Sequence, residues 1–474
     1  MNSIRRALAI VASLAALAHH FGTPARAQTA EVPFRIEAYA LSSGAHDGAA
    51  TDVLRAFQHT LRIDDARWMQ VIFASHELGR GSWVSIRSLR DGDVQTLDAR
   101  SMKTWRSHSG YFNGNALEIA LHVAPEDRGA FIEIDRVVVG ERARAPIVID
   151  ESAGVSKDIC GGADNRVASN DNRIGRVMPI ACTAWRVTSG AFLTAGHCVD
   201  LDPDGGGSML PDGILDTLTV VQFNVPLSDT SGTITNPPIA DQFPVNNSTV
   251  AWRFDGSGQG FGKDWAVFTT GANSQSGLLA HEQYGFPFRM TRETPAAGAT
   301  MRVTGFGVDS LPAGNPPPFN QQSQTNQTMT GNYVGEMTSG ADIWVQHAVD
   351  TEGGNSGSPI LWEANGLAIG VHTNGGCFGG GSNGGTSFEV DALETALRNL
   401  TGTSVRFVDV GHPLPVVEDG TIFRPYNTLV EGTDTVPTGG IVSVVTGTYP
   451  VGAGRVFNRA MMVVAPTGTV LIRD

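Results

Sequence analysis

Residues 352–360 read "EGGNSGSPI". One serine, Ser356, stands among Gly353, Gly354 and Gly357, with Pro359 closing the run. Glycine tolerates positive φ and lets another backbone approach closely. Such a stretch can be a plain surface loop. It can also be a tight turn that holds Ser356 Oγ outward and aims the amides of Gly354 and Ser356 at one point. Acyl transfer needs the second arrangement, a nucleophile beside two donors for the developing oxyanion.

Two further stretches carry partners for such a serine. "LTAGHC" (193–198) runs an apolar strand into Ala195 and Gly196 and delivers His197. Histidine, with an ordinary pKa near ~6.5, suits a general base. "GKDWAVF" (262–268) sets Asp264 at the head of an apolar strand. A buried carboxylate there can bond the far imidazole nitrogen and set its tautomer. Asp241, Asp255 and Asp342 are rivals for that role, and Lys263 reads as a solvated neighbour.

"TAGHC" and "GNSGSP", in this order with an Asp-headed apolar strand between them, resemble the trypsin/chymotrypsin-like serine peptidases. The resemblance spans about half the chain. It implies two six-stranded β-barrels with the site in the cleft between them. It implies His197 as general base, Asp264 as its orienting acid, Ser356 as nucleophile, and the amides of Gly354 and Ser356 as the oxyanion hole. It also implies a Cys182–Cys198 disulfide bracing the histidine loop, which leaves Cys160–Cys377 as the second pair. One residue departs from the digestive members. They carry Asp directly before the serine, where it pairs with a freed N-terminus; here the residue is Asn355. That activation switch is expected to be absent.

The same resemblance addresses specificity. The walls of the substrate pocket fall on "DTEGG" (350–354) and "GVHTNGG" (370–376). Asp350, six before Ser356, holds the position that in trypsin receives Arg or Lys. Against it, Thr351 and His372, with Thr373 beside them, resemble the bacterial glutamyl endopeptidases, where a histidine and a hydroxyl receive a substrate carboxylate. An imidazole N–H and a threonine O–H donate to a carboxylate. A protonated imidazole would repel a guanidinium. The expected preference is therefore Glu, or Asp, with Arg/Lys or a broader preference as alternatives.

The rest of the chain bounds this reading. Its 474 residues suggest two or three domains. The net charge of −14 argues against nucleic acid as a partner, since phosphate binding needs a basic surface. Arg5 and Arg6, the apolar run "ALAIVASLAALA" (7–18) and "ARA" (25–27) read as a secretory leader, residues 1–27. The apolar run falls short of the ~20 residues a membrane span needs, so no membrane partner is expected. Four cysteines in an exported chain suggest disulfides, and their spacing fits no zinc pattern.

Residues 31–146 read as a β-sandwich of jelly-roll type, with a hairpin turning at Asp91-Gly92. Residues 147–165 form a linker, 166–401 the peptidase-like domain closed by an amphipathic helix at 391–400, and 402–474 a small β-rich module. Within that module, 420–450 resembles the capping segment and first rung of a parallel β-helix. The expected fold class is all-β throughout. No cofactor is expected. "DLDPDGGG" (200–207) begins like a calcium loop, but the twelfth position is Pro211, where a bidentate glutamate belongs. Protein or peptide substrates are the expected partners, with an unidentified ligand for the flanking modules in addition. The competing function class is a binding or adhesion protein that uses the peptidase fold as a platform.

Overall fold

Alternating burial marks strands of the N-terminal part of the chain. In Trp83–Ser88 and Val94–Asp98 the side chains of Val84, Ile86, Gln95 and Leu97 turn inward, while their neighbours face out. The two strands pair, and Gly92 makes the turn between them at φ +80°. In this computed structural model the described residues are 26–27, 32–143, 158–161, 164–199, 218–254, 261–309, 319–377, 381–413 and 417–474. The apolar core of the leader, the run 200–207, the rival Asp255 and most of the linker lie outside them.

Eight strands build the N-terminal sandwich, beginning with Phe34–Ser42 and ending with Phe131–Gly140. Counted along the chain, one sheet takes the order 1-8-3-6 and the other 2-7-4-5. This is jelly-roll topology. Trp68, Tyr111 and the inward faces of both sheets fill the space between them, and the same cluster continues into Met178, Val220 and Ile239 of the following domain. Polar groups clip the two together. Gln242 accepts from Tyr111 N at 2.9 Å and donates to Tyr111 O at 2.8 Å, while Asn113 and Asn236 exchange bonds of 2.9 and 2.8 Å.

The middle of the chain forms two closed six-stranded barrels. The first comprises Ile174–Met178, Cys182–Arg186, Phe192–Thr194, Val220–Gln222, Gln242–Arg253 and Trp265–Thr270. The second comprises Thr300–Gly305, Gln327–Ser339, Asp342–His347, Pro359–Trp362, Leu367–Gly375 and Asn383–Ser387. Pairing of Leu367–Gly375 with Asn383–Ser387 closes it. Those last strands are glycine-rich because they must be. A Cβ on Gly385 would meet Val371 O at 1.8 Å, and one on Gly384 would strike the Trp344 ring. Arg26–Ala27 add a short antiparallel strand to the outer edge of Leu367–Gly375, opposite Gly375 and Asn374.

The helix Asp391–Thr401 buries Leu393, Ala396 and Leu397 against Val405 and Phe407 of the last module. There the strands stack in parallel: Val405–Val408 on Gly440–Val444 on Met461–Val464, and Gly447–Pro450 on Val470–Arg473. Part of the stretch read as a capping segment is helical, Leu429–Thr435, with the Thr428 side chain accepting from Glu431 N. Among the described residues no helix is long and apolar enough to cross a membrane.

Candidate active site

Two barrels supply the site from opposite sides. In the first, the strand Phe192–Thr194 ends at Ala195, and Gly196–Cys198 make one 3-10 turn that carries His197. Only glycine fits before it, because a Cβ on Gly196 would lie 2.2 Å from Arg253 O. The Cys182–Cys198 disulfide ties the far side of this turn to the neighbouring strand. Closing a loop of that length contributes about 3 kcal/mol in the chain-entropy account.

Asp264 stands at the head of Trp265–Thr270, the strand next to Phe192–Thr194. Its Oδ1 accepts from His197 N at 2.9 Å, and its Oδ2 lies 2.6 Å from His197 Nδ1. Both side chains are fully buried. A carboxylate accepts only, so the imidazole proton sits on Nδ1 and Nε2 keeps a lone pair. Nε2 has no hydrogen-bond partner among the described residues. Thr386 anchors the aspartate from the second barrel, donating to Asp264 O at 2.7 Å. The rivals are engaged elsewhere: Asp241 with Tyr284, and Asp342 with Arg253 and Lys263. Lys263 is thus an ion-pair partner, 3.5 Å from Asp342, and not merely a solvated neighbour.

The second barrel presents Ser356 on the turn quoted at the outset. This turn is a braced one. Gly354 has φ +98° and Gly357 φ +91°. A Cβ on Gly354 would meet Phe306 O at 2.4 Å, and one on Gly357 would meet Thr183 O at 2.0 Å. Thr183 holds the turn twice, its N–H donating to Ser356 O at 2.9 Å and its hydroxyl to Gly354 O at 2.8 Å. Gly357 N donates to His372 O and His372 N to Ser358 O, at 2.7 and 2.8 Å. Ser356 O lies 3.9 Å from Cys198 Sγ, so the serine sits against the histidine turn.

The residues behind the serine form one buried network. His347, which sequence reasoning missed, accepts from Val349 N at Nδ1 and faces His372 Nδ1 across 3.2 Å through Nε2. That order places the His347 proton on Nε2 and the His372 proton on Nε2 in turn. Burial pushes His347 down to about 3. Burial, and then the imidazoles of His347 and His197, hold His372 well below the ordinary histidine range. His372 is therefore a neutral N–H donor. Asn383, also missed, donates to Thr351 Oγ1 at 2.9 Å and to the carbonyls of Asp158 and Val349. Thr351 accepts there, so its own proton points to other partners. Thr373 is buried and donates to Asn374 Oδ1 at 2.5 Å.

Asp350 departs from the trypsin-like expectation. Its carboxylate accepts from Cys160 N at 2.7 Å and Asn165 N at 3.0 Å, and is only 2% exposed. It braces the segment that leads into the barrels. The Cys160–Cys377 disulfide fastens the same segment to the opposite wall. Arg166 completes the brace. Its guanidinium is buried beside Asp164 at 2.6 Å, Val308 O at 2.9 Å and Glu352 at 3.4 Å, directly beneath the serine turn. Removing one member of a buried ion cluster destabilises by about 3–5 kcal/mol. Arg166→Met is expected to lose that much in denaturant unfolding, and a midpoint indistinguishable from the parent would rule out the brace.

Residues 182–371 match the family model described as a trypsin-like peptidase domain. No curated protein matches the chain. Among solved structures, a Glu endopeptidase in complex with MPD is 20% identical, with a TM-score of 0.36 over 51% of this chain and 98% of its own. The protease Anisep from Arthrobacter nicotinovorans is 15% identical, with a TM-score of 0.33 over 50% of this chain and 100% of its own. The VesB protease of Vibrio cholerae is 15% identical, with a TM-score of 0.33 over 51% of this chain and 70% of its own.

Proposed function

From the premise that the chain carries a trypsin-like peptidase domain over residues 182–371, we propose that it is an exported serine endopeptidase that cleaves after Glu, or Asp. The observation that carries this reading is the fully buried His197–Asp264 pair, set against the braced turn of Ser356. Ser356 Oγ attacks the scissile carbonyl as His197 Nε2 takes its proton. The amides of Gly354 and Ser356 stabilise the oxyanion. The proton passes to the leaving amine, and water then repeats the sequence on the acyl-enzyme. These steps call on no metal or cofactor. Two disulfides and the basic–apolar leader support export.

Specificity rests on the chemistry of the side chains behind the serine. Asp350 spends its carboxylate on the amides of Cys160 and Asn165. An Arg or Lys side chain would find both oxygens of that carboxylate already accepting from backbone amides. His372, a neutral imidazole that already bonds the Gly384 backbone, and Thr351, a hydroxyl, are groups of the kind that meets a carboxylate. The outer edge of Leu367–Gly375 takes an extended segment, as Arg26–Ala27 demonstrate, which is how a peptide substrate would lie.

A panel of matched peptides with Glu, Asp, Arg, Lys, Phe or Ala before the scissile bond tests this reading. Glu is expected to lead. His372→Ala is expected to lower kcat/KM for the Glu peptide by about 10- to 100-fold, the weight of a hydrogen bond to a charged group. Preference for Arg or Lys would move the pocket to Asp350 and refute the acidic assignment.

A further inference from the structure

The chain is acidic overall, with a formal charge of −14. One end of the N-terminal sandwich runs against that balance. Strand ends and turns from both sheets enclose a cleft of about 790 Å3 there. Arg35, Arg62, Arg67, Arg90 and Arg142 line it, against Asp64, Asp65 and Glu141. Arg35 absorbs two of these acids, at 2.7 Å from Asp65 and 3.2 Å from Glu141, and takes Glu37 as well at 2.5 Å. The other four arginines make no ion pair within 4 Å among the described residues. Arg67 feels Asp229 of the peptidase domain at longer range. Asp64 alone is left among the lining acids to balance them.

The frame beneath these cations is fixed. Arg67 N donates to Gly140 O at 2.9 Å and Gly114 N to Arg67 O at 2.8 Å. Ile63 N donates to Asn115 O, and Leu89 N to Ala116 O, both at 3.0 Å. Gly114, at φ +98°, leaves room for the Arg90 stem, which a Cβ would meet at 2.7 Å. A concave wall in which cations outnumber acids focuses positive potential into the cleft. Arginine forks pair carboxylates and phosphates bidentately. The volume matches the ~300–1,000 Å3 of sites that enclose whole ligands, far more than one small anion fills. The four arginines without an ion pair among the described residues come from three segments, the turn flanked by Arg62 and Arg67, the turn at Arg90 and the strand end at Arg142, so a ligand with several anionic groups fits them best.

We propose that this cleft binds an acidic stretch of polypeptide, a run of Asp and Glu side chains on the protein substrate, and docks it away from the scissile bond. The polypeptide nature of the ligand rests on the peptidase reading; the anionic chemistry does not.

The test uses the full-length Ser356→Ala chain and a fluorescent oligomer of D-glutamate, followed by anisotropy at low salt. Saturable binding is expected. It should weaken about tenfold or more in an Arg62→Gln/Arg90→Gln double variant and fall steeply with added salt. An affinity untouched by the double substitution would overturn the proposal. So would an oligomer that fails to bind, whether or not inorganic phosphate occupies the cleft in its place. In the chain with Ser356 intact, the double variant should raise KM for a protein substrate bearing an acidic run and leave cleavage of a short peptide unchanged. Equal effects on both substrates would refute docking. Absence of all proteolysis would instead sink the peptidase reading and leave the binding result standing.

Discussion

Ser356→Ala is expected to fold normally and to lose about 10^5- to 10^6-fold in kcat. The turn that presents Ser356 is held by its backbone, through Thr183, His372 and the two positive-φ glycines. The substitution removes one oxygen and leaves every one of those bonds in place. Stability should therefore stay close to that of the parent, which thermal melting checks. Some rate above water should remain, because the amides of Gly354 and Ser356 survive. Undiminished turnover in this variant would exclude Ser356 as nucleophile. Absence of turnover in the parent as well would favour the reading of the fold as a binding platform.

Local constraints explain what was legible in the sequence. Gly196, Gly354 and Gly357 each stand where a Cβ would collide with backbone, so the motifs around His197 and Ser356 are written by sterics over a few residues. Asp264 was legible as the head of an apolar strand and was chosen through the resemblance; what the fold adds is that the rivals Asp241 and Asp342 have partners of their own. His347, Asn383 and Arg166 were not legible. His347 and Asn383 meet partners 25 and 32 residues away, at His372 and Thr351, and Arg166, though paired locally with Asp164, reaches Glu352 186 residues away. Asn383–Ser387, "NGGTS", reads as a loop by composition. It is a fully buried strand paired on both sides, and Trp344 and Val371 leave room for no Cβ at Gly384 and Gly385. Asp350 shows the converse failure. Its position alone suggested a pocket acid, whereas its two amide donors come from a linker whose course the sequence did not reveal.

Asp264→Asn is expected to cut kcat by about 10^4-fold with little change in KM. The geometry gives the reason. Asp264 accepts two N–H groups, the His197 amide at Oδ1 and Nδ1–H at Oδ2. An asparagine has one acceptor oxygen and one NH2 group. The backbone amide cannot turn away, so the oxygen must serve it, and the NH2 is left facing Nδ1. The imidazole then accepts at Nδ1 and carries its proton on Nε2. The lone pair that would take the Ser356 proton is gone. Size and burial barely change, and Thr386 still donates to the carbonyl of residue 264, so the fold should persist. Asp264 does not touch the substrate in this reading, which is why KM stays put. A drop smaller than about tenfold, with melting unchanged, would show that the His197 tautomer is set by something else and remove Asp264 from the mechanism.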